Sequence, residues 1–213
     1  AGSELWGFVP AEFFPKLKRL RDNSPGISGT NKRPYFADGP IGVYQKDVNG
    51  DGRLVATDGD KVHLYIGMRR GGRFLYALDV SDPQAPRLMW KKSSSDPGFT
   101  ELGMTWSEPK LARIRAHGNP VLIMGAGYDA NQDIDPTTLA DTMGRGIVVL
   151  DAITGAPLWQ AGPMPSGATH NLVVAAMTHS IPSDVTILDR NGDGYIDRIY
   201  VGDTGGNLWR GDL

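Results

Sequence analysis

Apolar residues in this chain fall into short runs broken by glycine-, aspartate- and proline-rich turns, and three of these runs share one frame. Residues 72–79, 144–151 and 205–212 each pass from glycine to aspartate over the same spacing, with Phe, Leu, Ile, Val or Trp between. Each follows another run, at 62–68, 121–126 and 198–202. The first two lead through a turn to a third run ending on tryptophan, Trp90 and Trp159, and further strands precede them at 41–44 and 110–114. Short β-rich runs repeated between turn residues predict antiparallel strands. At roughly four strands to a repeat, with sheets that must stack to bury their faces, the pattern predicts an all-β fold, a β-propeller. Trp90 and Trp159 then fill the spaces between blades.

The repeats number about three, whereas closed propellers usually have about four to eight blades. The chain enters on what reads as a third strand, 4–9, and leaves on 207–213 before a closing strand. Residues 1–213 are therefore expected to form a portion of a larger propeller, or one closed by a second polypeptide, with unpaired sheet edges. Residues 10–34 depart from the repeat. Phe13, Phe14, Leu17 and Leu20 recur at helical spacing with Lys16, Lys18, Arg19 and Arg21 between them. That predicts a short amphipathic helix covering its own domain, followed by a polar loop.

Composition narrows the chemistry. The 28 glycines and 15 prolines, without low-complexity runs, fit many tight turns. A formal charge of -2 gives no general reason to expect nucleic acid or an anionic membrane as partner. Cysteine is absent, which excludes disulfides, thiolate metal sites and cysteine nucleophiles. His63, His117, His170 and His179 are scattered, and no nucleophile elbow, phosphate loop or zinc spacing occurs.

The strongest chemical signal is the run 189–197. Asp189, Asn191, Asp193 and Asp197 stand at positions 1, 3, 5 and 9, with Gly194 at position 6. Glycine there lets the backbone curl and aim the oxygens at one point, as in the first half of a Ca²⁺ loop. The expected ligands are the side chains of Asp189, Asn191, Asp193 and Asp197 and the carbonyl of Tyr195, with Ile196 tying the loop to the core. The run starting at Asp47 opens in the same way and gives a candidate second set, Asp47, Asn49, Asp51, Arg53 and Asp58, with Asp58 at position 12. An acidic hairpin turn is the competing reading of that run. A third acidic run, 127–135, lacks the glycine and reads as a solvated loop capped by Pro136. Arg210-Gly211-Asp212 spells a known adhesive tripeptide, but the repeat dictates most of it and places it inside a strand.

The ordered set 35–39, 74–80, 102–109, 127–129 with 141–146, and 198–203 with 206–210 resembles the C-terminal β-propeller of the type IV pilus tip adhesins, the PilY/PilC family. The likeness spans nearly the whole chain. It implies a protein exported to the bacterial surface, outer-membrane associated and at the pilus tip, with minor pilins, the rest of the propeller and a host-cell surface receptor as partners. It also implies that a Ca²⁺ loop, mapping onto Asp189 to Asp197, governs pilus extension and retraction, and with them adhesion and twitching motility. Asn191 stands where that pattern has aspartate, so weaker but retained Ca²⁺ binding is expected.

The leading expectation is thus a non-enzymatic, Ca²⁺-binding propeller module with no catalytic residue and no other cofactor. Two alternatives stand beside it. A quinoprotein dehydrogenase-like propeller shares blade motifs of the kind seen at 150–159, and a passive envelope scaffold would need no ion.

Overall fold

The computed structural model describes residues 2–135 and 140–213. Strands β1 (Ile41–Lys46), β2 (Lys61–Ile66), β3 (Phe74–Asp79) and β4 (Arg87–Ser93) pair in chain order as one antiparallel sheet. Strands β5 (Lys110–Ala112), β6 (Val121–Gly125), β7 (Ile147–Asp151) and β8 (Pro157–Gly162) repeat that order. β9 (His170–Val173) then adds itself parallel to β8. β10 (Thr186–Leu188), β11 (Arg198–Gly202) and β12 (Leu208–Asp212) form a third, three-stranded sheet. The three glycine-to-aspartate runs are thus β3, β7 and β12, the third strand of each blade.

The repeat extends to detail that composition cannot specify. Register shifts fall between Ala77 and Leu78 in β3 and between Val149 and Leu150 in β7, the same distance before the closing aspartate. Ala77 faces Trp90 and Val149 faces Trp159, so in both blades a bulge turns the outer strand beside its tryptophan. The closing aspartates cap the next turn alike, Asp79 Oδ1 accepting from Ser81 N at 2.9 Å and Asp151 Oδ1 from Ile153 N at 2.7 Å.

Blade stacking makes the core. Because side chains alternate across a strand, Leu122 and Met124 of β6 join Tyr65, Leu75, Ala77 and Trp90 of the first blade. Val121 and Ile123 join Val185, Ile199 and Val201 of the third. The middle blade is covered on both sides, and β6 and β7 are buried throughout. Trp90 is 8 % exposed and its indole N–H donates to Ala152 O at 3.1 Å, bridging two blades.

Two expectations about the first residues fail. Residues 4–9 form no strand, because none of the described residues pairs with them; Phe8 instead meets Tyr76 edge-on at 5.2 Å. A 3₁₀ turn (Ala11–Phe13) precedes helix α1 (Phe14–Asp22), but α1 does not lay its apolar face on the domain. Phe13 alone is buried, against Met68 and Tyr76, while Phe14 and Leu20 are each 59 % exposed. The helix docks through its polar side, where Arg19 donates to the carbonyls of Pro25, Asn31 and Lys32 at 3.1, 3.3 and 2.7 Å. No helix among the described residues is long and apolar enough to cross a membrane.

Candidate cation-binding loops

The two acidic loops occupy equivalent places. One joins β1 to β2 and the other β10 to β11, the first connection of its blade in each case. Four hydrogen bonds of their wiring match atom for atom. Asp189 accepts from Gly192 N at 2.7 Å on Oδ1 and from Gly194 N at 2.8 Å on Oδ2. Asp47 accepts from Gly50 N at 2.7 Å and from Gly52 N at 2.8 Å on the same two oxygens. Asn191 Oδ1 takes Asp193 N at 3.2 Å, and Asn49 Oδ1 takes Asp51 N at 3.0 Å. Asp193 Oδ1 takes Tyr195 N at 2.9 Å, and Asp51 Oδ1 takes Arg53 N at 2.8 Å.

Glycine is what permits this curl. Gly192 and Gly194 have φ of 75° and 86°, and Gly50 and Gly52 have 73° and 79°, in the left-handed region where a Cβ is disfavoured. The converging N–H groups, that of Gly194 foremost, outweigh the opposing effect of burial and hold the Asp189 carboxyl below its usual range. A carboxylate is thus kept charged at the head of the loop. Ile196 packs partly buried against the core shared by the second and third blades, as expected.

The loops close differently. Asp197 Oδ2 accepts from Arg190 N at 2.9 Å. In the other loop that place belongs to Asp60, which takes Val48 N at 2.8 Å and Val55 N at 2.9 Å. Asp60 is buried, and the two N–H groups, Val55 first, lower its pKa. Asp58 lies at the margin, 3.4 Å from Asn49 Nδ2. Sequence spacing pointed to Asp58 and missed Asp60, which no loop position marks.

Among the described residues no group of three or more His, Cys, Asp or Glu side chains converges to hold a metal ion. In the 189–197 loop Asp193 is already engaged. Its Oδ2 accepts from Asn191 Nδ2 at 2.7 Å and from the guanidinium of Arg115. The donor set of three carboxylates, one amide oxygen and a backbone carbonyl fits a hard cation by chemistry and order. In the present arrangement the side-chain oxygens of Asp189, Asn191, Asp193 and Asp197 accept from N–H groups of the loop itself, and Asp193 also from Arg115.

Arg115 was not legible as part of the site. It lies in the turn between β5 and β6, the second blade's counterpart of the acidic loops, and stands 5.3 Å over the Tyr195 ring. Beside it opens a cleft of about 510 Å³ between the second and third blades, walled by Ile114, Arg115, Trp159, Ile196 and Asp197.

The remaining sequence candidates separate. Asp129 accepts from Asn131 N at 3.0 Å and Thr142 N at 2.7 Å, capping a short turn. Asp133 forms a two-pronged pair with Arg70 at 2.6 and 2.5 Å, so the third acidic run gathers no common site. Pro136, expected to cap it, lies outside the described residues. Arg210 and Asp212 pair with each other at 2.7 Å within β12, and Asp212 also accepts from Arg198 at 2.7 Å. The tripeptide is a strand segment, as its place in the repeat predicted.

Comparison with known proteins gives one consistent result. The family described as the PilY1 beta-propeller domain matches residues 11–213. A type IV pilus biogenesis factor PilY1 homolog of Xylella fastidiosa is 31 % identical over 212 residues, 98 % of this chain and 14 % of that protein. The type IV pilus biogenesis factor PilY1 of Pseudomonas aeruginosa is 29 % identical over 216 residues, 100 % of this chain and 15 % of that protein. The crystal structure of the Pseudomonas aeruginosa PilY1 C-terminal domain aligns with a TM-score of 0.63 at 26 % identity, covering 100 % of this chain and 35 % of that one. The chain thus spans about one seventh of the length of these curated relatives.

Proposed function

The chain belongs to the PilY1 β-propeller domain family, and from that premise we propose that it acts in type IV pilus biogenesis as a non-enzymatic, Ca²⁺-binding portion of a propeller. The observation that carries the ion is the shared wiring of the loops headed by Asp47 and Asp189, set at the same connection of two blades. The same Asp-x-Asn-Gly-Asp-Gly order and the same eight-atom scheme stand at the same connection of two blades, which supports a common ligand.

In this reading the ion is held by Asp189, Asn191, Asp193, the Tyr195 carbonyl and Asp197. The second set is Asp47, Asn49, Asp51 and the Arg53 carbonyl, with Asp58 at its margin. Bound Ca²⁺ neutralises the clustered carboxylates and fixes the connection between β10 and β11. Its loss leaves like charges facing one another and the loop free to move. Extracellular Ca²⁺ modules bind in the range of about 10⁻⁴ to 10⁻³ M, so such a loop follows environmental calcium. Pilus subunits at the cell surface are the partners that would sense the change, with extension, retraction, adhesion and twitching downstream.

The test is made in the full-length protein in a pilus-bearing host. Asp193→Ala should change the number of surface pili and twitching, and the wild type should reproduce that change under calcium chelation. Unchanged piliation and motility in the variant would refute the regulatory role.

A further inference from the structure

Arg115 reaches the 189–197 loop across a blade boundary. The backbones are fastened there, Ile196 N donating to Arg113 O at 2.8 Å, so the guanidinium is held against the loop. It meets Asp193 Oδ2, while Asp193 Oδ1 is taken by Tyr195 N at 2.9 Å. The oxygen that remains for an incoming ion is therefore the one covered by Arg115 and by Asn191 Nδ2 at 2.7 Å, and Arg115 is the charged one of the two. The matching loop has the same asparagine contact, Asn49 Nδ2 to Asp51 Oδ2 at 3.3 Å, but there the carboxylate forms no ion pair among the described residues.

We propose that Arg115 is an internal competitor for the cation at Asp193, setting the ion affinity of the 189–197 loop and passing its occupancy to the second blade. This rests on the calcium reading above. A divalent ion and a guanidinium repel, and both seek the same carboxylate oxygen, so ion binding displaces Arg115. With its side chain 64 % exposed, Arg115 exchanges Asp193 for water at little cost, so it tunes affinity and does not block the site. It also walls the cleft between the second and third blades. Ion binding thus moves a positive charge within that cleft, a change a partner can sense away from the loop.

The experiment is a calcium titration of the chelator-stripped chain by calorimetry, comparing wild type with Arg115→Gln and Arg190→Gln. Arg190 carries the same charge on the loop itself but has no ion pair among the described residues. Arg115→Gln should bind the ion of the 189–197 loop roughly two- to fivefold more tightly, the scale of an exposed ion pair, and Arg190→Gln should change it by clearly less, under about 1.5-fold. In the wild type, calcium should also shift the NMR resonance of the Arg115 side-chain Nε–H, a readout that does not require the variant to fold. Equal affinity in wild type and Arg115→Gln, an equal gain in Arg190→Gln, or an unmoved Arg115 resonance at saturating calcium would each overturn the competitor. Calcium uptake by neither wild type nor Arg115→Gln would instead refute the calcium reading, and the competitor with it.

Discussion

Truncating Trp90 to alanine tests whether blade stacking holds this fold together. Trp90 is 8 % exposed, packs with Tyr65, Leu75, Leu122 and Leu150, and donates its indole N–H to Ala152 O at 3.1 Å in the next blade. A buried aromatic side chain removes about 150–250 Å² from water. At about 25 cal/mol per Å² that is about 4–6 kcal/mol, close to the roughly 3–5 kcal/mol that large-to-alanine core changes cost. Trp90→Phe keeps most of that area but leaves the Ala152 carbonyl without its donor, a loss of about 1–3 kcal/mol. Both are measured by urea unfolding followed by far-ultraviolet circular dichroism. The alanine variant should lose a large share of a domain stability of roughly 5–15 kcal/mol, and the phenylalanine variant a smaller one. A loss below about 1 kcal/mol for Trp90→Ala, the size of an ordinary substitution, would refute the account of Trp90 as the inter-blade core.

Three further outcomes follow from named contacts. Gly155 has φ of 70° and a Cβ there would stand 2.7 Å from Trp90 Cδ2, so Gly155→Ala should cost about 1–3 kcal/mol by the same unfolding measurement. Burial pushes the Asp151 carboxyl up, but Asn119, His117 and the N–H groups of Thr154 and Ile153 prevail and hold it below its ordinary value. Its contribution to stability is then full above the unfolded value near about 4 and lost as pH falls through the lower folded one. Thermal melts below that pH should fall steeply for wild type and less steeply for Asp151→Asn, which starts lower at neutral pH. Asp193→Ala should abolish calcium binding at the 189–197 loop while sparing the one headed by Asp47, which calorimetry reads as the loss of one class of site.

The sequence exposes what local chemistry decides. Strands β3, β7 and β12 stand out because glycine opens each run and aspartate ends it, and in β3 and β7 that aspartate caps the following turn, signals that need no partner. The curl of the acidic loops is equally local, resting on glycines two apart and side chains that bind their own backbone. What it hides depends on distant neighbours. Residues 170–173 become β9 only through the edge offered by β8, and residues 4–9 have strand composition but find no edge among the described residues. The outward face of α1 follows from Arg19 binding the carbonyls of the next loop, which helical periodicity cannot weigh. Asp60 and Arg115 enter the loops from outside their spacing, one from the residue just before the next strand and one from another blade.

The central claim is that two equivalently wired loops are built for a hard divalent ion. Native mass spectrometry of the intact chain, stripped with chelator and then returned to millimolar calcium, tests it most directly. Two added calcium ions are predicted, falling to one in Asp193→Ala and to none when Asp47→Ala is added. A wild-type mass that never rises above that of the stripped protein would contradict it.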